Sequence, residues 1–197
     1  WVDYPEVDIV AVWRDAIEAI PNLADQSWDQ HRLARLAVEF ELRVNPIWPM
    51  PGAVESIQRL AAAGILLGIV SNAQFFTPLM WQAATSSTFA DQGFDPALQY
   101  FSYVGGVAKP SQQMYRQAAE ALADRGVTAS AVLYVGNDMR NDIAPAQAVG
   151  FRTALFAGDQ RSLRARRDDP DLATVEPDVI ITDLLQILEV AGVGGEE

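Results

Sequence analysis

The stretch Val132-Leu-Tyr-Val-Gly136-Asn137-Asp138-Met139-Arg140-Asn141-Asp142-Ile143 begins as a run of β-favouring apolar residues, stops at a glycine, and continues in amide and carboxylate oxygens. Its first half reads as a short buried strand, and Ile143 to Val149 beyond it as a helix. A strand that ends in a polar turn and feeds a helix is the repeating unit of a parallel α/β sheet. In open sheets of that kind ligands bind outside the carboxyl ends of the strands.

The pattern extends on both sides. Upstream, Ala53 to Ala63 has helical periodicity, Ile65 to Val70 reads as a strand, Thr77 to Ala84 as a helix, Tyr100 to Val104 as a strand and Ser111 to Ala123 as a helix. Downstream follow strands Thr153 to Phe156 and Val179 to Ile181 and a last helix, Leu184 to Val190. Helices alternating with short β-rich runs predict a doubly wound, parallel, Rossmann-like sheet covered on both faces.

The first 47 residues differ. Val10, Trp13, Ile17 and Ile20 recur at spacings of three and four, predicting an amphipathic helix from Pro5 to Pro21, and Leu33, Leu36, Ala37, Phe40 and Val44 form the stripe of a second, from Trp28 to Val44. Three prolines within Asn45 to Gly52 break the helical period. The expected organisation is therefore a small α-helical cap over residues 1–47 and an α/β core over 48–197. Between Gly158 and Pro177 the chain is rich in mixed charge and poor in apolar residues, which reads as a solvated loop. Trp13, Trp28, Trp48, Phe75, Phe76 and Trp81 could shape a substrate pocket, but at these spacings core is the plainer reading and none is assigned a role; His31 reads as a surface residue.

Acidic residues outnumber basic ones by 26 to 14, for a formal charge of −12. That balance opposes docking on nucleic-acid phosphates or anionic lipid. The longest apolar stretch, Ala61 to Val70, is interrupted by Gly64 and Gly68 and is far shorter than the ~20 residues of a membrane-spanning helix. With no cysteine there is no thiol nucleophile, zinc–thiolate site or disulfide. No secretory leader is read at the start of the chain, and a cytoplasmic location is the expectation.

Two further places carry chemistry. The strand before Ser71-Asn72 ends in a hydroxyl and a carboxamide, where a phosphate oxygen could accept from Ser71 and from the backbone donors of the turn, although both residue types also end strands as plain turn formers. Lys109, the single lysine, stands directly before Pro110 and a helix start. A compact ammonium beside a carboxylate and a transferring phosphoryl group neutralises both, and a solvated loop lysine is the plainer alternative. At the third place, the oxygens of Asn137, Asp138 and Asp142 suit a hard cation such as Mg²⁺, or equally an N-cap with acidic first-turn residues.

The order is more specific than any one of the three. A strand ending in Ser, then Lys-Pro before a helix, then strand-Gly-Asn-Asp with a later Asn-Asp, resembles the second, third and fourth motifs of the haloacid dehalogenase (HAD) superfamily. The resemblance spans Pro51 to Phe156, and the upstream hairpin is similar to the cap of these hydrolases. It implies that Ser71 holds a phosphoryl oxygen with Asn72 binding substrate beside it. It further implies that Lys109 steadies phosphoryl group and nucleophile, and that the Gly136 to Asp142 segment serves Mg²⁺. Where the family has aspartate after the glycine this chain has Asn137, which leaves open whether Asn137 or Asp138 faces the ion. Asp142 matches the later family carboxylate.

The family's first motif, a strand ending in Asp-x-Asp, whose carboxylates attack phosphorus and serve as general acid and base, is found on no strand of this sequence. In the family that strand lies between those ending at Ser71 and Gly136. The expectation is an intact protein longer at its N-terminus by about 15 to 40 residues, with this chain inactive by itself. The implied function is Mg²⁺-dependent hydrolysis of a small phosphate ester through an aspartyl-phosphate. The alternatives are 2-haloacid dehalogenation on the same scaffold and a non-catalytic phosphate-binding module.

Overall fold

The computed structural model describes residues 3–193. Helix α1 (Ile9–Glu18) starts where Asp8 accepts from the amides of Val10 and Ala11, four residues later than the proline suggests. Pro21 then opens a separate short turn, α2 (Pro21–Ala24), and α3 (Gln30–Val44) is capped by Asp29 on the amide of Arg32. The hairpin of α1 and α3 closes on itself through an edge-on contact of Trp13 with Phe40. Ala37, Ile9 and Trp13 pack on Phe76 and Met80, which belong to the segment leading into and through α5 (Thr77–Thr85). Among the described residues no helix is long and apolar enough to cross a membrane.

Beyond the proline-rich linker come α4 (Ala53–Ala62), β1 (Leu67–Ser71), α5, β2 (Phe94–Phe101), the short α6 (Ser102–Gly105) and α7 (Gln113–Ala123). Then follow β3 (Leu133–Gly136), a π-helical turn at Met139–Ile143, α8 (Ala144–Ala148), β4 (Arg152–Phe156), β5 (Val179–Ile181) and α9 (Gln186–Val190). All strand pairings are parallel. Sequence reasoning places the second strand at Tyr100 to Val104, but it runs from Phe94 and ends before Ser102. Asp95 and Pro96 argue against a strand, yet β2 pairs on one side only, and an edge tolerates proline. The register slips between Leu67 and Ile69.

The parallel strands form two sheets, β1–β2 and β3–β4–β5. Helix α7 spans both, because Tyr115 and Ala118 pack with Val70 and Tyr100 of the first sheet and Tyr134 of the second. On the opposite face Leu133, Val135, Ala154, Phe156 and Ile181 meet Met50, Leu184, Ile187 and Val190. Helices thus cover both faces of β3–β4. Burial is highest not at the strands nearest the middle but at β4, where Thr153 to Phe156 are buried; β1 and β3 are only half-buried throughout or nearly so. Each of these two strands is hydrogen-bonded along a single edge, to β2 and β4 respectively.

Candidate active site

The carboxyl ends of β1 and β3 face a shared cluster. Asn72, just past β1, clamps the main chain of Lys109, with Oδ1 accepting from the Lys109 amide at 2.6 Å and Nδ2 donating to the Lys109 carbonyl at 3.1 Å. The loop carrying Asn72 is itself tied to the end of β2: buried Ser102 accepts from the amide of Ala73 and donates to its carbonyl. Lys109 Nζ then reaches Asp142 Oδ1 at 2.5 Å, Tyr134 Oη at 3.3 Å and the Val70 carbonyl at 3.4 Å. Both charged side chains are withdrawn from water, at 11% exposure for Lys109 and 6% for Asp142.

Tyr134 is the residue here that motif reading does not find. It lies on β3 with its side chain towards α7, edge-on to Tyr115, and its hydroxyl meets Asp142 Oδ1 at 3.2 Å and the Val70 carbonyl at 3.1 Å. It thereby links the two sheets. Burial, and then the neighbouring Tyr115 and the Asp142 carboxylate, push its phenol well above the ordinary value, so it stays a neutral hydroxyl. Its place on the inward face of a strand that ends at the site was the available signal.

The second oxygen of Asp142 accepts from the main-chain amides of Asn137 and Asp138, both at 3.0 Å. Gly136 makes this closure possible, since a Cβ there would collide with the Asp142 side chain. Ser71 donates to the carbonyl of Asn72 at 3.3 Å, and its hydroxyl keeps its lone pairs at the end of β1.

Asn137 and Asp138 contribute their amides to this cluster and send their side chains elsewhere. Asn137 Nδ2 donates to the Ser162 carbonyl at 2.6 Å. Asp138 caps the π-helical turn through the amides of Arg140 and Asn141, accepts from Asn141 Nδ2, and is gripped by Arg166 Nε at 3.2 Å and Nη2 at 2.8 Å. Burial would raise the Asp138 carboxyl, but Arg166 and the two amides outweigh it and hold the carboxyl below its ordinary value.

These contacts test the fit of a Mg²⁺ ion. Every carboxylate oxygen of Asp138 and Asp142 already takes two or more donors, and the amide oxygen of Asn137 is the one oxygen of the three side chains that no donor among the described residues claims. A Mg²⁺ site calls for carboxylate oxygens with substrate and water around them. Among the described residues there is no group of three or more potential acidic, histidine or cysteine ligands, and the described donor set does not by itself fit the ion.

A hydrolase family model, haloacid dehalogenase-like hydrolase, matches residues 8–150. No significant match is found among curated proteins. Among solved structures, the 2-haloacid dehalogenase of Pseudomonas syringae pv. Tomato DC3000 is 26% identical, with a TM-score of 0.60 over 94% of this chain and 72% of that one. The putative HAD-hydrolase YfnB of Bacillus subtilis, described as bound to magnesium, shares 18% identity and a TM-score of 0.62 over 94% and 73%. A HAD phosphatase from Thermococcus onnurineus shares 19% and 0.58 over 95% and 77%. The last two likenesses concern the fold alone. With the family model covering most of its length, and with Asn72, Lys109 and Asp142 joined in one cluster at the strand ends, this chain belongs to the haloacid dehalogenase-like hydrolases.

Proposed function

We propose that the intact protein hydrolyses a small phosphate monoester, with a carboxylate nucleophile carried on a strand lying between β1 and β3. The observation that carries this reading is the pair of facing strands, each bonded on one edge only, whose carboxyl ends meet at the Lys109–Asp142 pair. A further parallel strand would bond to the unpaired edges of β1 and β3, taking over the Val70 carbonyl from Lys109 and Tyr134, and deliver its last residue beside the ammonium. Lys109 would hold the attacking carboxylate and a phosphoryl oxygen together and offset their charge. Ser71 and the amides beyond it would take a second phosphoryl oxygen. The hairpin of α1 and α3 would act as the cap that excludes water during the first displacement.

A second reading, dehalogenation of a 2-haloacid, has support of its own. The 26%-identical structural relative is described as a 2-haloacid dehalogenase. The acidic turn is also neutralised from within, Asp142 by Lys109 and Asp138 by Arg166, so its charge does not by itself oppose a carboxylate substrate.

The test is product analysis on the intact protein with a panel of phosphate monoesters and with 2-chloropropionate. Release of inorganic phosphate, abolished in Lys109→Met, is the expected result. Chloride release without phosphate release would overturn the first reading in favour of the second. Turnover of neither would leave a phosphate-binding module, to be sought by titration with inorganic phosphate.

A further inference from the structure

The mixed-charge segment between Gly158 and Pro177 is not a free loop. It is laced along the turn that follows β3. The Arg164 amide donates to the Asn137 carbonyl at 2.8 Å, the Met139 amide donates to the Arg164 carbonyl at 3.0 Å, and the two segments form an isolated parallel bridge at Asp138 and Arg164. Leu163, Leu172 and Val175 pack on Met139, Ile143 and Leu155 beneath. At the end of this contact Arg166 adopts φ = +49°. Glycine takes that conformation freely and arginine does not, so the backbone alone does not call for arginine there. What arginine supplies is a guanidinium placed on both oxygens of a carboxylate that is itself 10% exposed.

We infer that Arg166 is a positioning residue of the active site: its guanidinium fixes Asp138, and through that turn it fixes the two amides that aim Asp142 at Lys109. The chain of contacts is continuous. Arg166 grips Asp138; Asp138 caps the turn through the amides of Arg140 and Asn141; the turn sets the amides of Asn137 and Asp138; these hold Asp142 Oδ2; and Asp142 Oδ1 holds Lys109 Nζ. Two ion pairs stand in series, the outer one half-open to water and the inner one closed.

The test uses Arg166→Gln, Arg166→Lys, Asp138→Asn and the double variant Asp138→Asn/Arg166→Gln in the intact protein. Amide hydrogen exchange at Asn137 and Asp138 should accelerate at least about tenfold in Arg166→Gln while β4 stays protected. With whichever product the wild type releases, kcat should fall by about tenfold or more with KM changed less than about threefold, because the displaced group is one that orients rather than binds. Arg166→Lys should recover part of the loss, and the double variant should be no worse than the weaker of the two singles. Unchanged protection at Asn137 and Asp138 in Arg166→Gln would overturn the inference, as would strictly additive losses. The kinetic arm rests on the hydrolase reading. The exchange arm does not, so an inactive wild type would count against that reading and leave the positioning role to be decided by exchange.

Discussion

Asp142 receives four donors on two oxygens, one of them the ammonium of Lys109, and both partners are almost dry. Removing one partner of a buried pair leaves the other charge without compensation, at a cost of about 3–5 kcal/mol, whereas removing both costs far less. Asp142→Asn should therefore lower unfolding free energy in urea by about that amount, and Lys109→Met/Asp142→Asn should regain part of it; a single-variant loss under about 1 kcal/mol would contradict a buried pair of this kind. Asp138 makes a pH prediction. Its carboxyl titrates below its ordinary value in the folded chain, so the unfolded chain binds the proton first as pH falls. The stabilisation is complete above the ordinary carboxylate range, at pH above about 5, and is lost as pH drops through the depressed value. Wild type and Asp138→Asn should differ in melting temperature at pH about 6, and the difference should shrink as pH falls below the ordinary carboxylate range; a constant difference would mean that the charge is not what matters. Lys109, Asn72 and Asp142 were legible from motif order because chemistry fixes their residue types. Tyr134 and Arg166 were not: lying on a strand that ends at the site is a signal for Tyr134 too weak to single it out, and an arginine in a charged loop carries none until the fold brings it within reach.

The strands were legible as elements from apolar runs, and the boundaries that shifted did so for local reasons. Asp8 and Asp29 set helix starts that prolines and tryptophans had suggested earlier, and edge pairing let Pro96 sit in β2. The split of the sheet was partly legible, since an α/β pattern whose motif order lacks its first member implies a place between the strands ending at Ser71 and Gly136. Hydrogen exchange can measure that place. Strand β4 is bonded on both edges and buried, while β1 and β3 are bonded on one edge and half-buried. Amides of Ala154 and Leu155 should be the slowest of the sheet, and alternate amides of β1 and β3 should exchange at least about tenfold faster. Equal protection along all three strands would show that the free edges are covered in solution, and would remove the slot on which the proposed nucleophile strand depends.

Taken whole, the molecule carries 26 acidic against 14 basic residues, and the compact state concentrates that excess. Salt acts on this in two opposed ways. It screens the general repulsion, which favours folding, and it screens ion pairs, which does not. The second effect is small here: Arg43–Glu39, Arg59–Glu55 and Arg140–Asp171 are surface pairs, of a kind worth less than about 1 kcal/mol each, Arg125–Asp95, Arg140–Asp169 and Arg166–Asp138 are partly shielded from solvent, and Lys109–Asp142 is too buried for mobile ions to reach. Repulsion should win. Raising NaCl from about 10 to about 150 mM, which shortens the screening length from about 30 to about 8 Å, should raise the melting temperature at pH 7. The same addition near the pI of 4.4, where net charge vanishes, should leave it unchanged or lower it. A fall at pH 7 would mean that exposed ion pairs stabilise this fold more than its net charge strains it.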